Sequence, residues 1–150
     1  MKLHKDLKEF IGLPNSHRVD YLIVGGHAVA FHGYPRFTGD TDFLVRPTAE
    51  NAQHLMRVLE AFGFGSIGLD ASTFTQPDKV VQLGRPPNRI DLLTSISGVD
   101  FKEAWEGRVD AELDGLPVCF LGRAALLQNK RATGRSKDLD DVEKLTLGKR

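Results

Sequence analysis

The sequence predicts an α/β (α+β) fold: a mixed β-sheet flanked by helices, with two more helices at the C-terminus. Three observations predict it. Short apolar runs rich in β-branched residues alternate with amphipathic stretches. Asp114-Gly115 is a strong two-residue turn signal between two strand-like runs. From Arg123 onward the pattern is helical throughout.

The elements follow in order. Leu3, Leu7, Phe10 and Ile11 have helical spacing, and Gly12, Pro14 and Asn15 are expected to end that helix. Tyr21-Leu22-Ile23-Val24 reads as a buried strand broken by Gly25-Gly26. A short helix is expected over His27 to His32, with Gly33 as its C-cap, then a second strand over Thr41 to Val45. Thr48 is a good N-cap for a helix over Ala49 to Phe62, with Leu55, Met56, Leu59 and Phe62 on one face. Strands are expected at Ser72 to Thr75, Val80 to Leu83 and Arg89 to Thr94, and a short helix at Asp100 to Trp105. Arg108 to Leu113 and Leu116 to Phe120 form the hairpin around Asp114-Gly115. Helices over Arg123 to Ala132 and Ser136 to Leu147 close the chain.

The chain has 150 residues, the size of one domain, and residues 1–150 are expected to form one. Lys plus Arg equals Asp plus Glu at 20 each, so the formal net charge is zero. That argues against a broad nucleic-acid surface, which is usually basic. One cysteine, Cys119, cannot staple the fold by itself, and no Cys/His zinc spacing is present. No apolar run approaches the roughly 20 residues that span a membrane, and the N-terminus lacks an apolar signal core. The expected location is the cytoplasm, with no membrane partner.

Chemistry concentrates in three acids. Asp40 and Asp42 are two apart on a strand, so they share a face about 6.5–7 Å apart at the backbone. Carboxylates held that way repel unless a cation lies between them, and oxygen ligands of this kind suit Mg²⁺. Asp91 sits in the apolar strand Ile90-Asp91-Leu92-Leu93, where a carboxylate is costly unless paired or bound to a cation. If its strand lies beside that of Asp40 and Asp42, three acids converge and can hold two metals. Structural roles stay open: Asp40 as a turn cap, Asp42 and Asp91 paired with Arg36, Arg46 or Arg89. Gly25-Gly26 at a strand–helix junction allows positive φ and close approach of backbone amides to a phosphate. The Gly25-Gly26 turn itself opens neither a P-loop, which needs a following Gly-Lys-Ser/Thr, nor a G-x-G-x-x-G pattern.

This combination resembles the nucleotidyltransferase superfamily. The residues that carry the resemblance are Val24-Gly25-Gly26-His27-Ala28, then Gly33 through Asp40-Thr41-Asp42, then Asp91. Thirteen residues separate Gly26 from Asp40, at the long end of that family's range. Within it, the chain is similar to small bacterial abortive-infection nucleotidyltransferase toxins, whose closing motif matches Lys130 followed by Arg135-Ser136-Lys137-Asp138-Leu139-Asp140-Asp141. The resemblance implies a nucleotidyltransferase-like sheet and transfer of a nucleoside monophosphate from an NTP to an acceptor hydroxyl of a protein, RNA or small molecule. It implies that Asp40, Asp42 and Asp91 are catalytic and bind Mg²⁺, two ions being expected. Asp91 would also accept the proton of the attacking hydroxyl. Gly25 and Gly26 would hold the triphosphate. His27, Arg36 and Lys130 are the further nucleotide-binding candidates; structural roles for each remain open. An antitoxin or a second copy of the chain is the expected partner. The rival expectation is a catalytically inactive module of the same fold that binds a nucleotide or partner. His27 follows the second glycine where several relatives have Ser or Lys at or beside it.

Overall fold

The computed structural model describes residues 5–35, 39–64, 68–85 and 89–147. Among the described residues, six strands form one mixed sheet. In chain order the elements are α1 (Lys5–Ser16), β1 (Tyr21–Val24), α2 (Gly25–Phe31), β2 (Asp40–Val45), α3 (Ala49–Ala61), β3 (Val80–Leu83), β4 (Arg89–Leu93), α4 (Phe101–Glu106), β5 (Val109–Leu113), β6 (Leu116–Phe120), α5 (Arg123–Thr133) and α6 (Ser136–Leu147). The strand order across the sheet is β3-β4-β2-β1-β6-β5. β1 is antiparallel to β2 and parallel to β6, and β2 is parallel to β4. The outer strands β3 and β5 pair antiparallel with β4 and β6. All four residues of β1 are buried, so both faces of the sheet are covered at its centre. Phe10 of α1 meets Phe43 of β2 edge to face at 5.5 Å between ring centres, and Phe62 at 5.2 Å, tying α1 and α3 to one side of the sheet.

Most expected elements are present, with three differences. α1 runs on through Pro14 to Ser16, past its expected stop. A helix-interior proline costs about 3 kcal/mol. Leu7, Phe10, Ile11 and Pro14 are all buried at i, i+3, i+4 and i+7, so packing of this stripe offsets the lost hydrogen bond. Leu3, where that helix was expected to begin, lies outside the described residues. Ser72 to Thr75 is a 3₁₀ turn, Ala71–Thr75, and not a strand. Asp70 accepts a hydrogen bond from the Ser72 amide, and Phe74 is fully buried, so a local cap and one anchored ring outcompete strand pairing. α2 begins at Gly25 itself, two residues earlier than expected.

The caps of α3 and α4 hold as sequence chemistry requires. Thr48 accepts from the Asn51 amide and Asp100 from the Glu103 amide. Asp114 and Gly115 both have positive φ, 51° and 79°, the form that a two-residue hairpin needs.

Candidate active site

Register across three strands builds the site. Val24 of β1 stands opposite Asp42 of β2, and Asp42 stands opposite Asp91 of β4. Residues opposite one another in a ladder share a face, so Asp42 and Asp91 lie side by side. Alternation puts Asp40 on that face too, opposite Arg89. Carboxylate oxygens of Asp40, Asp42 and Asp91 all come within 4.8 Å of one another. The convergence expected of the three acids is therefore present, and the parallel β2–β4 pairing is what produces it.

The glycine turn closes over this row. Gly25 has φ +66°, and a Cβ placed on it would overlap the Asp42 carboxylate. Two constraints coincide here: a left-handed backbone, and an approach to Asp42 too close for any side chain. Val24 gives no side-chain cap to α2, so the first amides of that helix are not satisfied by a cap.

The electrostatics are those of crowded acids. Burial, then the Asp40 and Asp91 charges, push the Asp42 carboxyl up to about 7. A proton on Asp42 would be shared with Asp91. Burial also raises Asp91, against the pull of Arg89. Arg89 donates to Asp40 Oδ2 at 2.7 Å and to Asp91 Oδ2 at 3.2 Å, and its Nε lies 3.0 Å from Asp91 Oδ1. An all-oxygen donor set of three converging carboxylates fits a hard divalent cation.

The other candidates fall in different places. His27, in the first turn of α2, is lowered from its ordinary range by burial, against the Asp40 charge. Its Nδ1 is buried with no hydrogen-bond partner among the described residues. Arg36 lies outside the described residues. Lys130 is buried, and its ammonium sits 3.2 Å from both Asp138 and Asp141 of α6. Arg135 donates to Asp138 at 2.7 Å. Burial alone would raise Asp138, but hydrogen bonds from Arg135 and Lys130 outweigh it and the carboxyl falls below its usual range. The closing motif is thus a buried ion network between α5 and α6. Arg89 entered the sequence reading only as one possible structural partner for the acids. Its position two residues before Asp91 was the signal that it shares their face.

No protein-family model matches the chain. No curated protein matches its sequence. Solved structures do match in fold. The lincosamide antibiotic adenylyltransferase LnuA, lincomycin-bound, aligns over 96% of this chain and 96% of its own, with TM-score 0.57 and 15% identity. An antigenic nucleotidyltransferase-like protein from Paracoccidioides brasiliensis aligns over 93% of this chain and 75% of its own, with TM-score 0.55 and 19% identity. A six-stranded mixed sheet, flanked by helices and closed by two C-terminal helices, is here the fold shared with nucleotidyltransferases.

Proposed function

We propose that the chain is a metal-dependent nucleotidyltransferase that moves a nucleoside monophosphate from an NTP to an acceptor hydroxyl. The observation that carries this is the convergence of Asp40, Asp42 and Asp91 beneath the Gly25 turn. In the reaction, the acceptor oxygen bonds to the α-phosphorus while the bond to the bridging oxygen breaks. Pyrophosphate leaves, and the hydroxyl proton passes to a carboxylate.

Asp40, Asp42 and Asp91 would hold Mg²⁺, two ions in the full reading, which would supply charge neutralisation at the attacking and leaving oxygens. Asp91 is the proposed proton acceptor; burial has already raised it. The first amides of α2, at Gly25 and Gly26, would meet the triphosphate; that they lack a side-chain cap supports this role. His27 Nδ1 is a buried polar atom that a nucleotide oxygen or hydroxyl would satisfy. Arg36, four residues before Asp40 in the sequence, is retained as a phosphate contact on sequence grounds. Lys130 serves the site through the α5–α6 scaffold, because two carboxylates already engage its ammonium.

The acceptor class is a protein, an RNA end or a small molecule; the last is the class that the name of the lincosamide adenylyltransferase describes. The toxin reading rests on the Gly25-Gly26-His27-Ala28 and Lys130 to Asp141 patterns, with an antitoxin or a second copy as the partner and the cytoplasm as the location. A second reading, a nucleotide-binding module without turnover, is favoured by one observation: Arg89 already bridges two of the acids.

Transfer from each of the four radiolabelled NTPs with Mg²⁺ separates these readings. Labelling by the wild type that vanishes in Asp40→Ala/Asp42→Ala is expected. Equal labelling by both proteins would remove the assigned site. Calorimetric binding of Mg-NTP without any labelling would establish the binding module.

A further inference from the structure

Among the described residues, the carboxyls of Asp40, Asp42 and Asp91 and the guanidinium of Arg89 meet where β2 and β4 begin. Arg89 faces Asp40 across the parallel ladder and shares a strand face with Asp91. Its planar guanidinium spans both carboxylates, at 2.7 Å to Asp40 and at 3.0 and 3.2 Å to the two oxygens of Asp91. Only Oδ2 of Asp91 accepts a hydrogen bond from it; Arg89 Nε and Asp91 Oδ1 are paired by charge alone. A divalent cation held by Asp40, Asp42 and Asp91 draws on oxygens that the guanidinium already covers. The guanidinium charge repels such a cation and competes with it for Asp40 Oδ2 and Asp91 Oδ2.

We propose that Arg89 is an internal competitor for the metal: its guanidinium clasps Asp40 and Asp91 in the metal-free protein, must release at least one of them to admit a divalent cation, and so sets the metal affinity of the site. The inference rests on Asp40, Asp42 and Asp91 being the metal ligands. It goes further by giving this chain's own residue a regulatory part in loading the site. A positive charge nearby would weaken metal binding by its field alone, so the fork must be separated from the charge. Lysine keeps the charge but cannot bridge two carboxylates as a planar fork does.

The test uses the full chain and Mn²⁺ alone as the probe, with no nucleotide, read by calorimetry and by the spin-resonance signal of free Mn²⁺. Wild type, Arg89→Gln, Arg89→Lys and Asp42→Asn are compared. Arg89→Gln is expected to bind Mn²⁺ at least tenfold more tightly than wild type. Arg89→Lys is expected to bind at least threefold more tightly, and Asp42→Asn to lose binding. If Asp42→Asn loses binding but Arg89→Lys matches wild type, the clasp is wrong and the metal site stands. Arg89→Gln binding no more tightly than wild type has the same meaning. If neither wild type nor Arg89→Gln binds Mn²⁺, the metal site falls and the proposal with it. Should Arg89→Gln fail to fold, which circular dichroism reveals, Arg89→Lys alone decides between these outcomes.

Discussion

Asp42 carries the clearest residue-scale consequence. Its folded carboxyl titrates at about 7, far above the ordinary carboxylate range. An acid whose folded pKa is raised binds its proton more tightly when folded, so stability falls as pH rises from about 4 to about 7. In chelator, Asp42→Asn should remove that part of the slope. It should melt higher than wild type at pH 8, by about 2–4 °C for each kcal/mol of repulsion relieved in a chain of this size. Thermal melts at pH 5 and pH 8 check this; an unchanged melting temperature at pH 8 would show that the acids do not strain the fold. The same substitution removes a metal ligand, so gain of stability and loss of binding should come together. Asp42 was legible in the sequence because its period-two spacing from Asp40 is a strand property. Arg89's clasp was not, because reading it requires knowing which residue of β2 faces which residue of β4.

At the scale of elements, the α5–α6 pair depends on buried charge. Lys130 and Asp138 are 6% and 1% exposed, and Asp141 is fully buried. Breaking a buried pair by deleting one member typically costs about 3–5 kcal/mol. Lys130→Ala should therefore destabilise by about that much in urea unfolding. A variant with wild-type stability and weakened nucleotide binding would restore the phosphate-contact role read from the sequence. The ion network itself was not legible, for a physical reason. Charge and helical spacing in the sequence show that Lys130, Asp138 and Asp141 each sit on a helix face, but not that Gly134, at φ +71°, turns those faces toward one another. The 3₁₀ turn at Ala71–Thr75 was missed for a similar reason. Its strand-like composition was legible, but the burial of Phe74 that decides its shape is a property of the packed chain. By contrast, β1, β2, α3 and the β5–β6 hairpin were legible almost to the residue, because apolar runs, an N-cap and an Asp-Gly turn are local signals.

The whole molecule is organised around β1, which is central although only four residues long. One of its edges pairs with β2, the next strand in the chain; the other pairs with β6, where Ile23 stands opposite Phe120. Chain order could suggest the elements but not this order across the sheet, because the β1–β6 pairing joins distant segments. Ending the chain after Gly107 would strip β1 of one neighbour and remove the buried residues Val118, Phe120, Leu121 and Leu126. That fragment, which still contains all three acids, is expected to aggregate on size-exclusion chromatography; a monodisperse folded fragment would show β6 to be dispensable. There is a further consequence while the protein is being made. About 90 residues separate the end of β1 from the start of β6. At about 5–20 residues per second, a nascent chain carries β1 with one bare edge for roughly 5–20 seconds. How long this strand can find a wrong neighbour is set by the pace of the ribosome, whatever the final stability of the sheet.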